Sequence, residues 1–327
     1  AFSTLWDNGG AHEKAAHQQI RRQGIKINLI LLRLTFVWIS TKTLSLLEAG
    51  MQKQMMELLP RFLERLGLDE EPMGVFYTDE KPAEGFSPKP IDLPTRQKEM
   101  KNEIDWQGVF SQFSCAMGHI WRARKKRTAA YFSAEQFGCP GGAFWMGFNK
   151  PQTETIIKYV STGIPNWTEG EHYCDSPDEL RRIFEYVDPR PAPKTYCVVK
   201  PLGNFANDET PELIAFFTRP ECLCGLHQLA AYVTNDPEVV ASPWGAGCGS
   251  MVVWPLHYLS QGVTRAVVGG WDPSARKFYK TDELSFTVPY QMFSDMLNRF
   301  EDSFLKTDTW ATVQKKIERS KKTWGEI

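Results

Sequence analysis

The sequence predicts an α+β fold: a single mixed domain with an irregular, largely antiparallel sheet and helices packed on it. Predicted strands and helices are interspersed without a fixed period, whereas a parallel α/β sheet repeats a strand–helix unit. The 327 residues are 42% hydrophobic, enough for a real core in one large or two ordinary domains. A charged share of 24% with 13% aromatics excludes disorder, collagen-like repeats and coiled coil.

The first fifty residues stand apart from this pattern. They begin with Ala1, and an amphipathic stripe starts only at Met51. Arg21, Arg22 and Lys26 precede a mostly apolar run from Ile27 to Ile39, too short to span a bilayer, where about 20 residues are needed. No small-x-small cleavage site follows, as a secretory signal requires. Leu47-Glu48-Ala49-Gly50 can be encoded by a purine-rich ribosome-binding sequence just before a bacterial start codon. Residues 1–50 are therefore expected to be an extension outside the core: translated upstream DNA, a targeting or anchor segment, or a genuine extension. Residues 51–327 are expected to form one globular domain. His12 and His17 are spaced i, i+5, which does not fit a zinc-protease helix.

From Met51 onward the elements read in order. Met55, Leu58, Leu59, Phe62, Leu63 and Leu66 make a helical stripe closed by Gly67, and Pro60 predicts a kink or a later start. Val75–Thr78 reads as a strand, and 81–94 as a Pro-rich loop. Trp106 to Arg127 reads as one long helix ending in Arg122, Arg124, Lys125, Lys126 and Arg127, a solvated end that complements the helix dipole. Ala129–Ser133 is a strand. Ser176-Pro177-Asp178-Glu179 is a capping box with Pro at N1, opening a helix with Leu180, Ile183, Phe184 and Val187 on one face. Strands follow at Tyr196–Leu202 and Leu213–Thr218, then a helix at Pro220–Val233. Leu284–Val288 is a strand whose Pro289 opens a helix bearing Phe293, Met296, Leu297, Phe300 and Phe304. The strand–Pro–helix pattern thus occurs twice, and a charged surface helix closes the chain near Thr309–Lys321.

Charge excludes some partners. The chain carries 38 Lys and Arg against 39 Asp and Glu. Six basic and three acidic residues precede Met51, so the remainder holds 32 against 36, a net charge of −4. No basic stretch interleaved with aromatics points to nucleic acid, and nothing in 51–327 points to a membrane. Seven widely spaced Cys are no disulfide scaffold and fit a reducing cytoplasm.

Chemistry points to the cysteines. In Gly138-Cys139-Pro140-Gly141-Gly142 a thiol enters a short helix, where backbone N–H groups favour the thiolate and suit a nucleophile or a metal ligand. Gly141 and Gly142 also serve backbone shape alone. In Gly245-Ala246-Gly247-Cys248-Gly249-Ser250 a second thiol lies in a glycine loop of the kind that nests an anion, so Gly247, Gly249 and Ser250 join Gly141 and Gly142 as candidate cofactor contacts. Cys115 and His119, at i and i+4, fit two metal ligands on one helical face, or a buried Cys beside a satisfied His. Cys222 and Cys224, at i and i+2 of a helix, point apart, and no Cys-x-x-Cys pair exists.

In this order the motifs resemble the domain of unknown function 169 family of bacteria and archaea. The resemblance covers about residues 51–305. It rests on Met73-Gly74-Val75-Phe76-Tyr77, on Cys115, on Ala134 to Ala143 with its Cys139-Pro140, on Cys248-Gly249-Ser250 and on the closing Asp282 to Pro289. It implies a common fold unit and no particular reaction. Some members carry further Cys before the closing segment, where this chain reads Val268-Gly269-Gly270-Trp271-Asp272-Pro273 and has none.

Cys115, Cys139 and Cys248 are the three thiols on family motif positions. Three thiolates suit an iron–sulfur cluster with one open iron site, or a soft metal with His119 as fourth ligand. The expectation is therefore a cytoplasmic protein of redox metabolism with a Cys- and Gly-lined pocket holding such a group. Two alternatives stand beside it: a non-catalytic small-molecule binding module, and a metal-free enzyme with Cys139 as nucleophile and His119 or His257 as its base. N-terminal sequencing of protein expressed from its native upstream DNA tests the upstream-DNA reading. It predicts a start at Met51, and any molecule starting earlier overturns it.

Overall fold

Apolar side chains on alternate positions of the strands face two different cores, and this organises the molecule. The computed structural model describes residues 55 and 57–325 except 149–152 and 307. The readings of the first fifty residues lie outside the described residues. Residues 49–327 form one compact unit.

Its strands are β1 (Met73–Thr78), β2 (Ala130–Ser133), β3 (Tyr196–Pro201), β4 (Leu213–Thr218), β5 (Val240–Ala241), β6 (Ala266–Gly269) and β7 (Leu284–Pro289). They form one sheet in the order β2-β3-β1-β4-β7-β6-β5. Every pairing is antiparallel except β5 with β6. The fold is therefore α+β with a largely antiparallel sheet, as expected.

On one face Phe76, Val198, Ile214, Phe216, Phe286 and Val288 meet the helix over 57–66, the Pro220–Thr234 helix and the Tyr290–Arg299 helix. Phe62 lies at the centre, edge-on to Phe293 at 6.1 Å and to Phe300 at 5.6 Å. On the other face Val75, Phe132, Val199, Leu213, Ala215 and Val267 meet the Ala116–Lys126 helix, Trp145, Val187 and residues 251–256. Because both faces are covered, β4 is buried at every position and reads in sequence as an unbroken apolar run.

Several elements match their sequence signals. The Ser176 hydroxyl caps the Pro177–Val187 helix by accepting from Glu179 N at 3.2 Å, with Pro177 in the first turn. Gly67 ends the first helix at φ 71°, where a side chain would be strained. Pro289 caps its helix from a β-like conformation.

The long helix expected from Trp106 to Arg127 is instead two, Trp106–Ser111 and Ala116–Lys126. The break has a clear cause. Ser114 N donates to Gly138 O at 2.8 Å, outside the helix, and Cys115 is extended at φ −66°, ψ 131° as the N-cap of the second helix.

The basic end of that helix also differs from expectation. Arg124 is not solvated: its side chain is 8% exposed and pairs through both terminal nitrogens with Glu283, itself 2% exposed, at 2.9 and 2.7 Å. Glu70 accepts from Arg124 at 2.6 Å, and the guanidinium lies 3.8 Å from the Phe217 ring centroid. Arg276 continues the network by donating to the backbone carbonyls of Glu283, Lys280 and Thr281. Together these bonds fix the 270–283 loop between β6 and β7.

A buried charge that loses its partner is strongly destabilising, whereas replacing both partners by apolar groups is close to neutral. Glu283→Ala is therefore expected to lower unfolding free energy by about 3–5 kcal/mol in urea denaturation. The double variant Arg124→Met, Glu283→Leu should recover most of that loss. A Glu283→Ala cost indistinguishable from zero would refute the assignment.

Candidate functional site

The site is assembled where the 116–126 helix, the Pro140–Trp145 helix and the helical run over 247–260 meet on the sheet. The last of these is unusual. Gly249–Val253 is a π-helix that continues directly into the Trp254–Ser260 helix. Pro255 has no N–H for the carbonyl of Met251, so the α-helical ladder is interrupted there and the wider turn precedes it. The π-turn sits on β6 and β7. There Gly269 leaves room for Ser250, whose Oγ lies 2.0 Å from where a Cβ on Gly269 would be.

Three thiols approach each other from three segments. Cys139 caps the Pro140–Trp145 helix, and its Sγ accepts from Gly142 N at 3.3 Å. The backbone N–H groups of Met117 and Gly118 act on Cys115, the cap of its own helix. Cys248 is buried at the start of the π-turn. Burial, and then the neighbouring Cys115, push the Cys139 thiol up to about 12. Burial raises Cys248 as well, followed by Cys139, Cys115 and Asp272. Burial also raises Cys115.

The N–H contact expected at Cys139 is present, while desolvation and a second thiol act against it and raise the thiol. All seven cysteines are free.

His119 lies four residues on from Cys115, the N-cap of the same helix. The His119 Nε2 faces Ser114 Oγ at 3.1 Å, and its buried Nδ1 has no partner. Burial, then Arg122, pushes it down to about 4. His257 Nε2 faces Gln261 Nε2 at 3.0 Å.

The glycines are close-packing positions. A Cβ on Gly142 would stand 2.6 Å from Phe137 O, one on Gly247 2.9 Å from Met117 Cγ, and one on Gly249 2.9 Å from the Trp145 ring. Gly141 would meet only ordinary contacts. The Ser250 hydroxyl donates to Gly247 O at 3.0 Å.

Sequence reasoning missed the acidic half of the site. Asp272 Oδ2 accepts from Gly247 N at 3.2 Å. Its Oδ1 accepts from the Tyr173 hydroxyl at 3.0 Å, from Ser274 N at 2.9 Å and from Ser274 Oγ at 2.8 Å. The bond to Ser274 N is an Asx-turn, and Asp272-Pro273-Ser274 carries its signature in plain view. Glu171 had no such signal. Burial, and then Asp272, push it up to about 7, near the poise of a general acid or base.

An open cleft of 590 Å³ lies on the 162–172 turn, lined by residues including Ile164, Trp167, Glu169 and His172, and takes in none of the thiols. Among the described residues no three His, Cys, Asp or Glu side chains stand where they could hold one metal ion. No helix among them is long and apolar enough to cross a membrane.

The two shifted groups predict opposite pH effects on stability. Folded His119 binds fewer protons than unfolded between pH 4 and 6.5, so its contribution is lost as pH falls through that window. Folded Glu171 binds more protons than unfolded between pH 4.5 and 7, so its contribution is lost as pH rises through that window. Glu171→Gln is therefore expected to stabilise the protein by roughly 1–3 kcal/mol at pH 8 relative to its effect at pH 4. Thermal melts across this range check it, and an effect that does not change with pH would refute it.

No curated protein and no solved structure was found to match the chain. The family described as "Uncharacterised ArCR" matches residues 61–299, a span that contains all three thiols, Glu171, Asp272 and Tyr279. The chain belongs to this family, DUF169.

Proposed function

We propose that this protein binds an iron–sulfur cluster through Cys115, Cys139 and Cys248, with one iron left open, and that it serves redox metabolism in a reducing compartment. The observation that carries this reading is the gathering of three thiols from distant segments into mutual electrostatic reach. Three thiolates packed together need positive charge. Lys277 is a cation that acts on Cys115. A cluster would supply that charge as iron, along with one-electron chemistry. Backbone N–H groups already directed at Cys115 and Cys139 are the kind of donor that tunes cluster sulfurs.

A single bound ion is disfavoured. A tetrahedral Zn site draws its sulfurs to within about 4 Å of one another, and no such grouping occurs among the described residues. His119 faces Ser114 through Nε2, which leaves its buried Nδ1 as the nitrogen that could serve as a fourth ligand. The Cys139-nucleophile alternative is disfavoured by the burial that raises its thiol.

A binding module in which the thiols merely pack is the rival. The 3% exposure of Cys248 favours it, while the partial exposure of Cys115 and Cys139 favours an accessible site. Anaerobic purification and reconstitution with ferrous iron and sulfide separate the two. The expected result is broad visible absorption with about four iron and matching sulfide per chain, lost in Cys139→Ser. A colourless protein free of iron and sulfide after reconstitution overturns the proposal.

A further inference from the structure

Gly118, Trp121, Arg122 and Lys125 fall on one face of the Ala116–Lys126 helix, at i, i+3, i+4 and i+7. Lys126 stands one turn on from Arg122. The loop between β6 and β7 packs on this face through its tight turn, Arg276–Phe278. Gly118 admits the turn: a Cβ there would lie 2.9 Å from both Cε1 and Cζ of Phe278. The Phe278 and Trp121 rings consequently stand 6.5 Å apart, inclined at 47°. The Lys125 ammonium lies 4.6 Å from the Trp121 centroid, and that of Lys277 lies 5.3 Å from the Phe278 centroid.

The cations around these rings divide into two sets. Arg124, Arg127 and Lys280 pair with Glu283, Glu71 and Glu70. Arg122, Lys125, Lys126 and Lys277 are exposed and make no ion pair among the described residues. A chain with a net charge of −4 over residues 51–327 thus gathers four uncompensated positive charges on one face. Trp121, 36% exposed, lies among them. Mutual repulsion of the cations and the unburied indole both weigh against the free surface. A ligand that is anionic and also flat offsets both.

We infer that this face binds single-stranded nucleic acid, with a base stacked on Trp121 and phosphates on Arg122, Lys125, Lys126 and Lys277. Single strands are held by this combination of cations that track the backbone and aromatic rings that take the bases. The lysine stems are flexible, so their ammonium groups can leave the rings for phosphate oxygens. A duplex keeps its bases stacked inside, out of reach of Trp121. An acidic protein segment answers the charge and leaves the rings unused. No basic stretch of the sequence shows aromatics interleaved in this way, because Lys277 and Phe278 arrive from a distant loop.

Fluorescence anisotropy of a labelled single-stranded oligouridine, titrated with the full chain at several salt concentrations, tests this. Four phosphate contacts predict that log affinity falls against log salt with a slope of about −3. Lys125→Gln and Lys277→Gln should each make that slope shallower by about 0.7, and both should melt like the parent because the two lysines are exposed and unpaired. Trp121→Ala should weaken binding about 10-fold or more while leaving the slope unchanged, and Trp121→Phe should recover most of the loss.

A parent chain that leaves the oligouridine free at low salt overturns the inference. So do lysine variants that keep the parent's slope, or a Trp121→Ala variant that binds as tightly as the parent. Displacement by polyglutamate as effective as that by unlabelled oligouridine would assign the face to an acidic protein segment, and equal affinity for duplex RNA would remove the stacked base. Either result overturns the inference as well.

Discussion

The carboxylate of Asp272 is the joint on which the site depends. It accepts four hydrogen bonds, three at Oδ1 from the Tyr173 hydroxyl and both donors of Ser274 and one at Oδ2 from Gly247 N. These bonds tie the glycine loop before the π-turn, the segment following the 162–172 turn and the loop between β6 and β7 into one body. None of the three has a regular ladder of its own to hold it in that place. Arg124 and Glu283 secure the far end of the same loop from the 116–126 helix, so the thiol of Cys115 and the loop carrying Asp272 are bound to one scaffold.

The energetic character of this corner differs from the rest of the molecule. Around Phe62 the core is a set of interlocking aromatic and aliphatic side chains, and stability there follows from burial. Around Asp272 the fold gathers three thiols, two carboxylates and several hydroxyls in low-polarity surroundings, where each acidic group makes ionisation of the next harder. A chain under selection for stability alone has no reason to collect such groups. Concentrated perturbation of this kind is a mark of functional sites.

Much of the architecture was legible because local chemistry and tertiary structure agreed. Ser176 and Pro177 announce a helix start, and the tertiary structure leaves it in place. The strands from Leu213 and Leu284 are apolar enough to be read directly. What the sequence concealed was long-range. Nothing near Ser114 indicates that its N–H is claimed by Gly138, so the helix break and the true setting of Cys115 were invisible. Arg124 sits in a run of basic residues that individually suit solvent, and only Glu283, far along the chain, singles it out. Cys139 and Cys248 could be nominated from their glycine-rich settings. Their ionisation could not, because it depends on burial and on one another. Glu171 and Asp272 are separated by about a hundred residues, and no spacing rule can pair them.

The strand order has a further consequence, for how the protein is made. Strand β4 lies between β1 and β7, and β7 is the last strand to leave the ribosome. Synthesis at roughly 5–20 residues per second leaves β4 without its β7 partner for several seconds. During that interval one edge of β4, apolar along its whole length, is open to pairing with other chains. Cys115 and Cys139 are likewise in place before Cys248 and Asp272 exist. The nascent chain therefore passes through a stage with an open apolar edge and two unguarded thiols, and aggregation at that stage competes with folding.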